Sequence, residues 1–283
     1  MAQRKQKKTA RPVGLYLAIG AAALGILILL ALLLRPQIQQ VVPIDTRAKN
    51  EWNPDGFYSE NGFLRYRDAG HMVGIDVSAH QGAIDWAAVK NAGVEFAIVR
   101  IGYRGSTVGE LYEDEQLRAN LLGAREAGIR LGAYFFSQAM NTAEAVEEAE
   151  YACDRLDGMQ LELPLYFDWE VAAGGERVQS ETEIPLTDCA VAFCNAVEKR
   201  GYRGGVYFNQ TQGYRHYDLE QLQDYSLWLA EYGDVPTFRY AFNCLQYSDA
   251  GQIDGIPAAV DLDLLFLDEG GDEANADATQ GKT

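Results

Sequence analysis

Eight short apolar runs, separated by helix-like stretches in the first half and mostly by turns in the second, constrain this chain more than any other feature. They are MVGIDV (72–77), FAIVRI (96–101), IRLGAYFF (129–136), LPLYFDW (163–169), GGVYF (204–208), LWLA (227–230), NCLQY (243–247) and AVDLDLLF (259–266). The stretches between them carry helix boundary signals, acids or a capping residue at the start and glycine at the end. IDWAAVKNAG ends in Gly93, and EDEQLRANLLGAREAG opens with acids and ends in Gly128. TAEAVEEAEYACDRLDG starts at an N-cap-like Thr142, and TDCAVAFCNAVEKRG runs from Thr187 to Gly201. After GGVYF only DLEQLQDY reads as a helix, and a short one. Strand–helix alternation implies a parallel sheet. Eight strands, at most five helical connections and about 200 residues fit a shortened, irregular (β/α) barrel better than an open doubly wound sheet, since no GxGxxG or P-loop follows any strand.

The flanks have a different character. Val13 to Leu34 reads VGLYLAIGAAALGILILLALLL, 22 residues without a charge, and roughly 20 apolar residues suffice to cross a bilayer. Five cations (Arg4, Lys5, Lys7, Lys8, Arg11) precede it, which orients residues 1–12 to the cytoplasm. The run is longer than the apolar core of a cleaved signal peptide, and no small-x-small site follows it. The expected organisation is a basic cytoplasmic tail (1–12), a single-pass signal anchor (13–34) in the cell membrane, and a stalk (35–69) partly packed through Trp52, Phe57, Tyr58 and Phe63. The barrel (70–267) and an acidic disordered tail (268–283) follow, both outside the cell. Net charge is −17, which excludes the basic footprint of a nucleic-acid binder. The four cysteines (153, 189, 194, 244) match no zinc spacing and read as small buried hydrophobes. His71, His80 and His216 form no metal motif, so no metal or cofactor is expected; His80 reads as a loop residue.

In barrels of this kind chemistry sits at the C-terminal strand ends. Polar residues there are Asp76, Asp168 with Glu170, Tyr207 with Asn209, Glu231 with Tyr232, Gln246 with Tyr247, and Asp261 with Asp263. Residues two apart on a strand share a face, so Asp168 and Glu170 can point together while Trp169 turns away. Neighbouring carboxylates raise one another's proton affinity, which is the equipment of glycosidic cleavage. Tyr103, Tyr134, Tyr166, Tyr207, Trp228 and Tyr247 are candidates for stacking on sugar, with core packing as the competing role. Arg100, in the middle of FAIVRI, needs an acidic partner if buried, and Asp76 or Asp168 could supply it.

GIDVSAHQGAIDWAAVKNAGVEFAIVRIGYRG (74–105) resembles the opening of glycoside hydrolase family 25, lysozymes acting on bacterial cell-wall glycan. The resemblance continues through Asp114, Asn120, GIRLGAYFFSQA (128–139), LPLYFDWE (163–170), GYRGGVYFN (201–209), LWLAEY (227–232), LQYSDAGQIDGI (245–256) and VDLDLLF (260–266). It implies an irregular (β/α)5β3 TIM-like barrel, here preceded by one transmembrane helix, and a muramidase cutting the β-1,4 bond between N-acetylmuramic acid and N-acetylglucosamine. It also implies roles: Glu170 as acid and base, Asp168 beside the substrate's own N-acetyl nucleophile, Asp76 and Asp261 as orienting carboxylates. Tyr103, Tyr134, Tyr166, Tyr207, Asn209, Trp228, Tyr247 and Arg100 are the substrate-binding candidates. The implied partners are peptidoglycan strands and, through residues 13–34, a lipid bilayer, with a monomeric catalytic domain. Departures from the family pattern are Phe135 in place of a histidine, Leu245 in place of a tryptophan and Asp263 in place of an asparagine. Asp263 either crowds the catalytic carboxylates or sits solvated at the rim. The alternatives in other classes are a silent wall-binding module on the same groove and a carboxylate-rich metal hydrolase such as a sugar deacetylase.

Overall fold

A computed structural model describes residues 45–172, 174–177 and 184–267. The chain divides after Asp45, and apart from Asp45 all described residues belong to the unit Thr46–Thr283. The expected anchor, cytoplasmic tail and acidic tail lie outside the described residues. Among the described residues no helix is long and apolar enough to cross a membrane.

Eight strands close a barrel: β3 (His71–Val77), β4 (Phe96–Arg104), β6 (Arg130–Ser137), β7 (Leu165–Trp169), β8 (Gly204–Asn209), β9 (Ser226–Ala230), β10 (Cys244–Gly251) and β11 (Val260–Phe266). All eight coincide with the apolar runs of the sequence. From β3 round to β10 the pairing is parallel. β11 closes the ring antiparallel to both β10 and β3, so the parallel sheet implied by strand–helix alternation ends at β10. The connection from β10 is too short for the dozen or more residues of a parallel crossover. A hairpin of β1 (Phe57–Glu60) and β2 (Phe63–Tyr66) precedes the barrel, and β5 (Leu111–Glu113) folds back on β4.

The helices are α1 (Trp86–Asn91), α2 (Leu117–Glu126), α3 (Thr142–Leu156), α4 (Leu186–Lys199) and α5 (Gln210–Arg215). Three details differ from the sequence reading. Asn141, not Thr142, caps α3, its carboxamide oxygen accepting from the amides of Ala143 and Glu144 at 3.1 Å. The stretch 218–225 forms turns, whereas α5 starts directly at the end of β8. The acids before α2 precede the helix, and Asp114 is turned to another use described below.

Alternation of strand side chains splits the core in two. One cluster inside the barrel holds Phe96, Ile98, Tyr134, Tyr166, Tyr207, Trp228 and Cys244. A larger one between barrel and helices holds Val99, Phe135, Phe167, Trp169, Phe193 and Leu245. The interior rings fit because the strands opposite them carry glycine: a Cβ on Gly74 would stand 2.4 Å from the Phe96 ring, and one on Gly205 2.4 Å from Tyr166. Aromatic residues close the end at the C-terminus of β11, with Trp52 stacked on Phe266 at 4.0 Å and Phe57, Tyr66 and Phe242 around the same ring. All four cysteines are free and buried.

Candidate active site

The other end of the barrel opens into a cavity of about 260 Å³ lined by Asp76, Arg100, Tyr134, Asp168, Glu170, Tyr207, Trp228 and Asp261. The four carboxylates singled out in the sequence therefore converge, and with them four of the eight substrate-binding candidates. His80, Phe136, Tyr232 and Gln246 complete the lining. Gln246 and Tyr232 stand at strand ends in the sequence, so their signal was visible. His80 is exposed on the turn after β3 and faces the cavity rather than only the loop.

Four candidates lie elsewhere. Tyr166 is wholly buried in the barrel below the mouth, its hydroxyl 3.2 Å from Ser226 Oγ. Tyr247 points outward, and its hydroxyl accepts from the Leu64 amide at 3.1 Å. Tyr103 does not line the cavity; it stacks on Tyr112 of β5 at 5.3 Å. Asn209 caps α5, accepting from the Gln212 amide at 3.1 Å, and lines a neighbouring depression instead. Arg100 also finds a different partner. Its Nε donates to Asp114 Oδ2 at 2.7 Å, and the same carboxylate accepts from the amides of Ala79 and Gln116. Asp114 thereby ties β4, the turn after β3 and the start of α2 around the mouth. Phe135 and Leu245 are wholly buried in the outer core, so those departures alter packing and not the sugar-facing surface.

The strand end carrying Asp168 and Glu170 is held from three sides. Trp169 Nε1 donates to the Ala139 carbonyl at 2.9 Å, and Gln212 Nε2 to the Trp169 carbonyl at 2.8 Å. Gln138 Nε2 donates to the Glu170 carbonyl. Gln138 is in turn fixed by a buried ion pair, because Glu148 accepts from Arg104 Nε at 2.7 Å, from Ser137 Oγ at 2.5 Å and from the Gln138 amide. Backbone placement of this kind costs no reorganisation during reaction.

Electrostatics at the mouth favour bound protons. Burial, and then the neighbouring Glu170, push Asp168 well above the usual carboxylate range against the opposing pull of Arg100. Burial also raises Asp76, helped by Asp263 and Asp261 and opposed by the hydrogen bond from Gln246 Nε2 at 2.7 Å. Asp261, less buried, is raised to about 6. Gln246 is oriented by Tyr207, whose hydroxyl donates to Oε1 at 3.0 Å, and by Tyr232 at 3.3 Å. Asp168 Oδ1 is buried without a donor. The arrangement can hold protons and deliver one at its outer carboxylate.

The model of the family described as glycosyl hydrolases family 25 matches residues 75–256. The chain belongs to glycosyl hydrolase family 25. Among curated relatives it is 30% identical over 193 residues to the autolytic lysozyme of Clostridium acetobutylicum, spanning 68% of this chain and 55% of that protein. It is 27% identical over 204 residues to lysozyme M1 of Streptomyces globisporus, spanning 69% and 67%. The chain thus covers little more than half the length of the first of these relatives. The crystal structure of the bacterial lysozyme from Streptomyces coelicolor superposes with a TM-score of 0.59 at 26% identity, covering 72% of this chain and 95% of that one. The modular autolysin LytC of Streptococcus pneumoniae, solved with a synthetic peptidoglycan ligand, has the same fold at 24% identity and a TM-score of 0.62, over 75% of this chain and 52% of that one.

Proposed function

We propose that this family 25 member is a membrane-tethered muramidase that cleaves the β-1,4 bond between N-acetylmuramic acid and N-acetylglucosamine in peptidoglycan. The observation that carries the reading is the convergence of Asp76, Asp168, Glu170 and Asp261 in one cavity at the mouth of the barrel. Glu170, at the outer edge of the pair, protonates the leaving O4 as the C1–O bond breaks. The acetamido oxygen of the muramic acid attacks C1 from the opposite face and forms an oxazolinium ring. Asp168, which lines the cavity, receives the acetamido N–H and stabilises the positive charge. That hydrogen bond favours the charged form of Asp168, so the proton held by the repelling pair is left to Glu170. In the second half Glu170 takes a proton from water, the water oxygen bonds to C1, the ring opens, and the anomeric configuration is retained.

The uncharged run 13–34 behind five cations supports tethering, with the barrel on the outer face beside the wall. The decisive test digests purified wall and identifies the new reducing end. Muramic acid at that end supports the reading; glucosamine at that end, or acetate release without chain cleavage, refutes it. Glu170→Gln keeps shape but cannot cycle a proton, and general acid–base catalysis contributes on the order of 10²–10⁴-fold. Cleavage should fall by at least 10²-fold in that variant with its melting unchanged.

A further inference from the structure

Asp263 is a buried ionisable group that the mechanism does not use. It is wholly buried beneath the cavity. Its Oδ1 accepts from Trp228 Nε1 at 2.9 Å. The second oxygen, Oδ2, is buried and meets no amide, hydroxyl or indole donor; the carboxyl of Asp76 is a hydrogen-bonding neighbour of Asp263, as it is of Asp261. Strand register produces this meeting: Asp263 pairs with Gln246 across β10 and with Gly74 across β3, while Asp261 pairs with Asp76. Gly74 has no side chain to separate the two carboxyls.

Two ionised carboxylates in contact inside a barrel are unsustainable, since a buried charge needs pairing and donors. A protonated carboxyl has one acceptor and one donor oxygen. Asp263 matches that inventory, with Oδ1 taken by the indole N–H and Oδ2 free to carry a proton toward Asp76. We infer that Asp263 and Asp76 hold one proton between them, and that Asp263 is a positioning residue that fixes Asp76 as a singly charged unit under the catalytic pair. The consequence for catalysis rests on the muramidase reading; the shared proton itself does not.

The groups facing the pair agree with this. Asp263 feels the charge of Asp261 on its own strand and acts on Cys244 of β10 and Tyr166 of β7 inside the barrel, and on Tyr247 on the outer face of β10. Asp76 meets Asp168 and Asp261, and the hydroxyls of Tyr134, Tyr207 and Tyr232 lie around it. Arg100 acts on Asp168 and Tyr134 and is itself committed to Asp114. Burial raises both Asp76 and Asp263 well above the usual carboxylate range.

The test compares the full chain with Asp263→Asn, which keeps the acceptor for Trp228 and a donor for Asp76 but cannot ionise. A native state that holds a proton the unfolded chain releases loses stability as pH rises through the interval between the two pKa values. Wild type should therefore lose melting temperature more steeply than the variant as pH rises above about 4, the unfolded aspartate value, so the variant's relative Tm climbs with pH. At about pH 7 the infrared band of protonated carboxyl groups should be weaker in the variant by one group, because Asp76, now with two neutral donors, ionises. Parallel melting curves, or an unchanged band, would overturn the proposal. Asp76→Asn, read on the Tm slope alone, gives the same flattening and keeps the test open should Asp263→Asn not fold. Neither readout uses substrate: absent wall cleavage with diverging curves sinks the hydrolase reading only, and parallel curves in a cleaving enzyme sink only the shared proton.

Discussion

Glu148→Ala should be among the most destabilising single changes in the barrel, and the reason lies in what the carboxylate holds. Its side chain and that of Arg104 are 0% and 4% exposed. Breaking a buried ion pair by deleting one partner costs roughly 3–5 kcal/mol. Ser137 Oγ and the Gln138 amide, both buried, lose their acceptor as well, and each orphaned donor costs about 1–3 kcal/mol. Against this, Arg104 keeps the carbonyls of Gly109 and Glu144 and the carboxylate of Glu147 at 2.7–3.1 Å. The compensation brings the expected cost to about 4 kcal/mol. A domain of this size loses about 2–4 °C per kcal/mol, so Tm should fall by roughly 8–16 °C. Burial raises Glu148 to about 7 despite its hydrogen bonds from Ser137 and Arg104, so melting is best followed by circular dichroism near pH 8, where the carboxylate is ionised. Glu148→Gln, which keeps an acceptor for Arg104, should cost only about 1–2 kcal/mol. Because Gln138 ties this network to the Glu170 carbonyl, the alanine variant should also lose turnover at temperatures where it remains folded. A drop in Tm under about 3 °C would refute the argument, since Arg104 would then be satisfied without Glu148.

Gly74→Ala forces a methyl to within 2.4 Å of the wholly buried Phe96 ring, and overpacking of that kind costs about 1–3 kcal/mol; a denaturant midpoint equal to wild type would show that the ring moves freely aside. If residues 13–34 anchor the chain, protease added to intact, wall-stripped cells should remove the barrel, and recovery of a soluble form beginning near residue 36 would end the anchor reading.

The barrel was legible because each strand is a short apolar run bounded by glycine or polar residues, and because strands opposite one another carry their carboxylates at the same height. The aromatic candidates were less so. Gln246 and Tyr247 are neighbours on β10, so period-two alternation forbids both from facing the cavity; Gln246 takes the cavity side and Tyr247 the outer one. Tyr166 obeys the alternation with Asp168 and fails on depth, standing two residues lower in the barrel. The partner of Arg100 could not be read, because Asp114 sits in a non-repetitive segment whose path is set by tertiary hydrogen bonds to Ala79 and Gln116. Helix α5 is a single short segment capped by Asn209 and Gln212, too brief to show an apolar period.

The direction of β11 explains both how the site is completed and why Asp263 is buried. Active sites of parallel barrels form at C-terminal strand ends, yet Asp261 is the second residue of its strand. It reaches the mouth only because β11 runs antiparallel to its neighbours, which brings its first residues level with the last residues of β3 and pairs Asp261 with Asp76. In a parallel strand, two residues beyond a mouth carboxylate means two residues nearer solvent, and Asp263 would stand at the rim. In the reversed strand the same step, at about 3.3 Å per residue, carries it nearly 7 Å down into the barrel, under Trp228. One reversal therefore supplies the fourth carboxylate of the cavity and sets the next one beneath it against Asp76. Asparagine fits that lower position without an ionisable group, whereas aspartate there adds a second buried carboxyl that raises the proton affinity of Asp76.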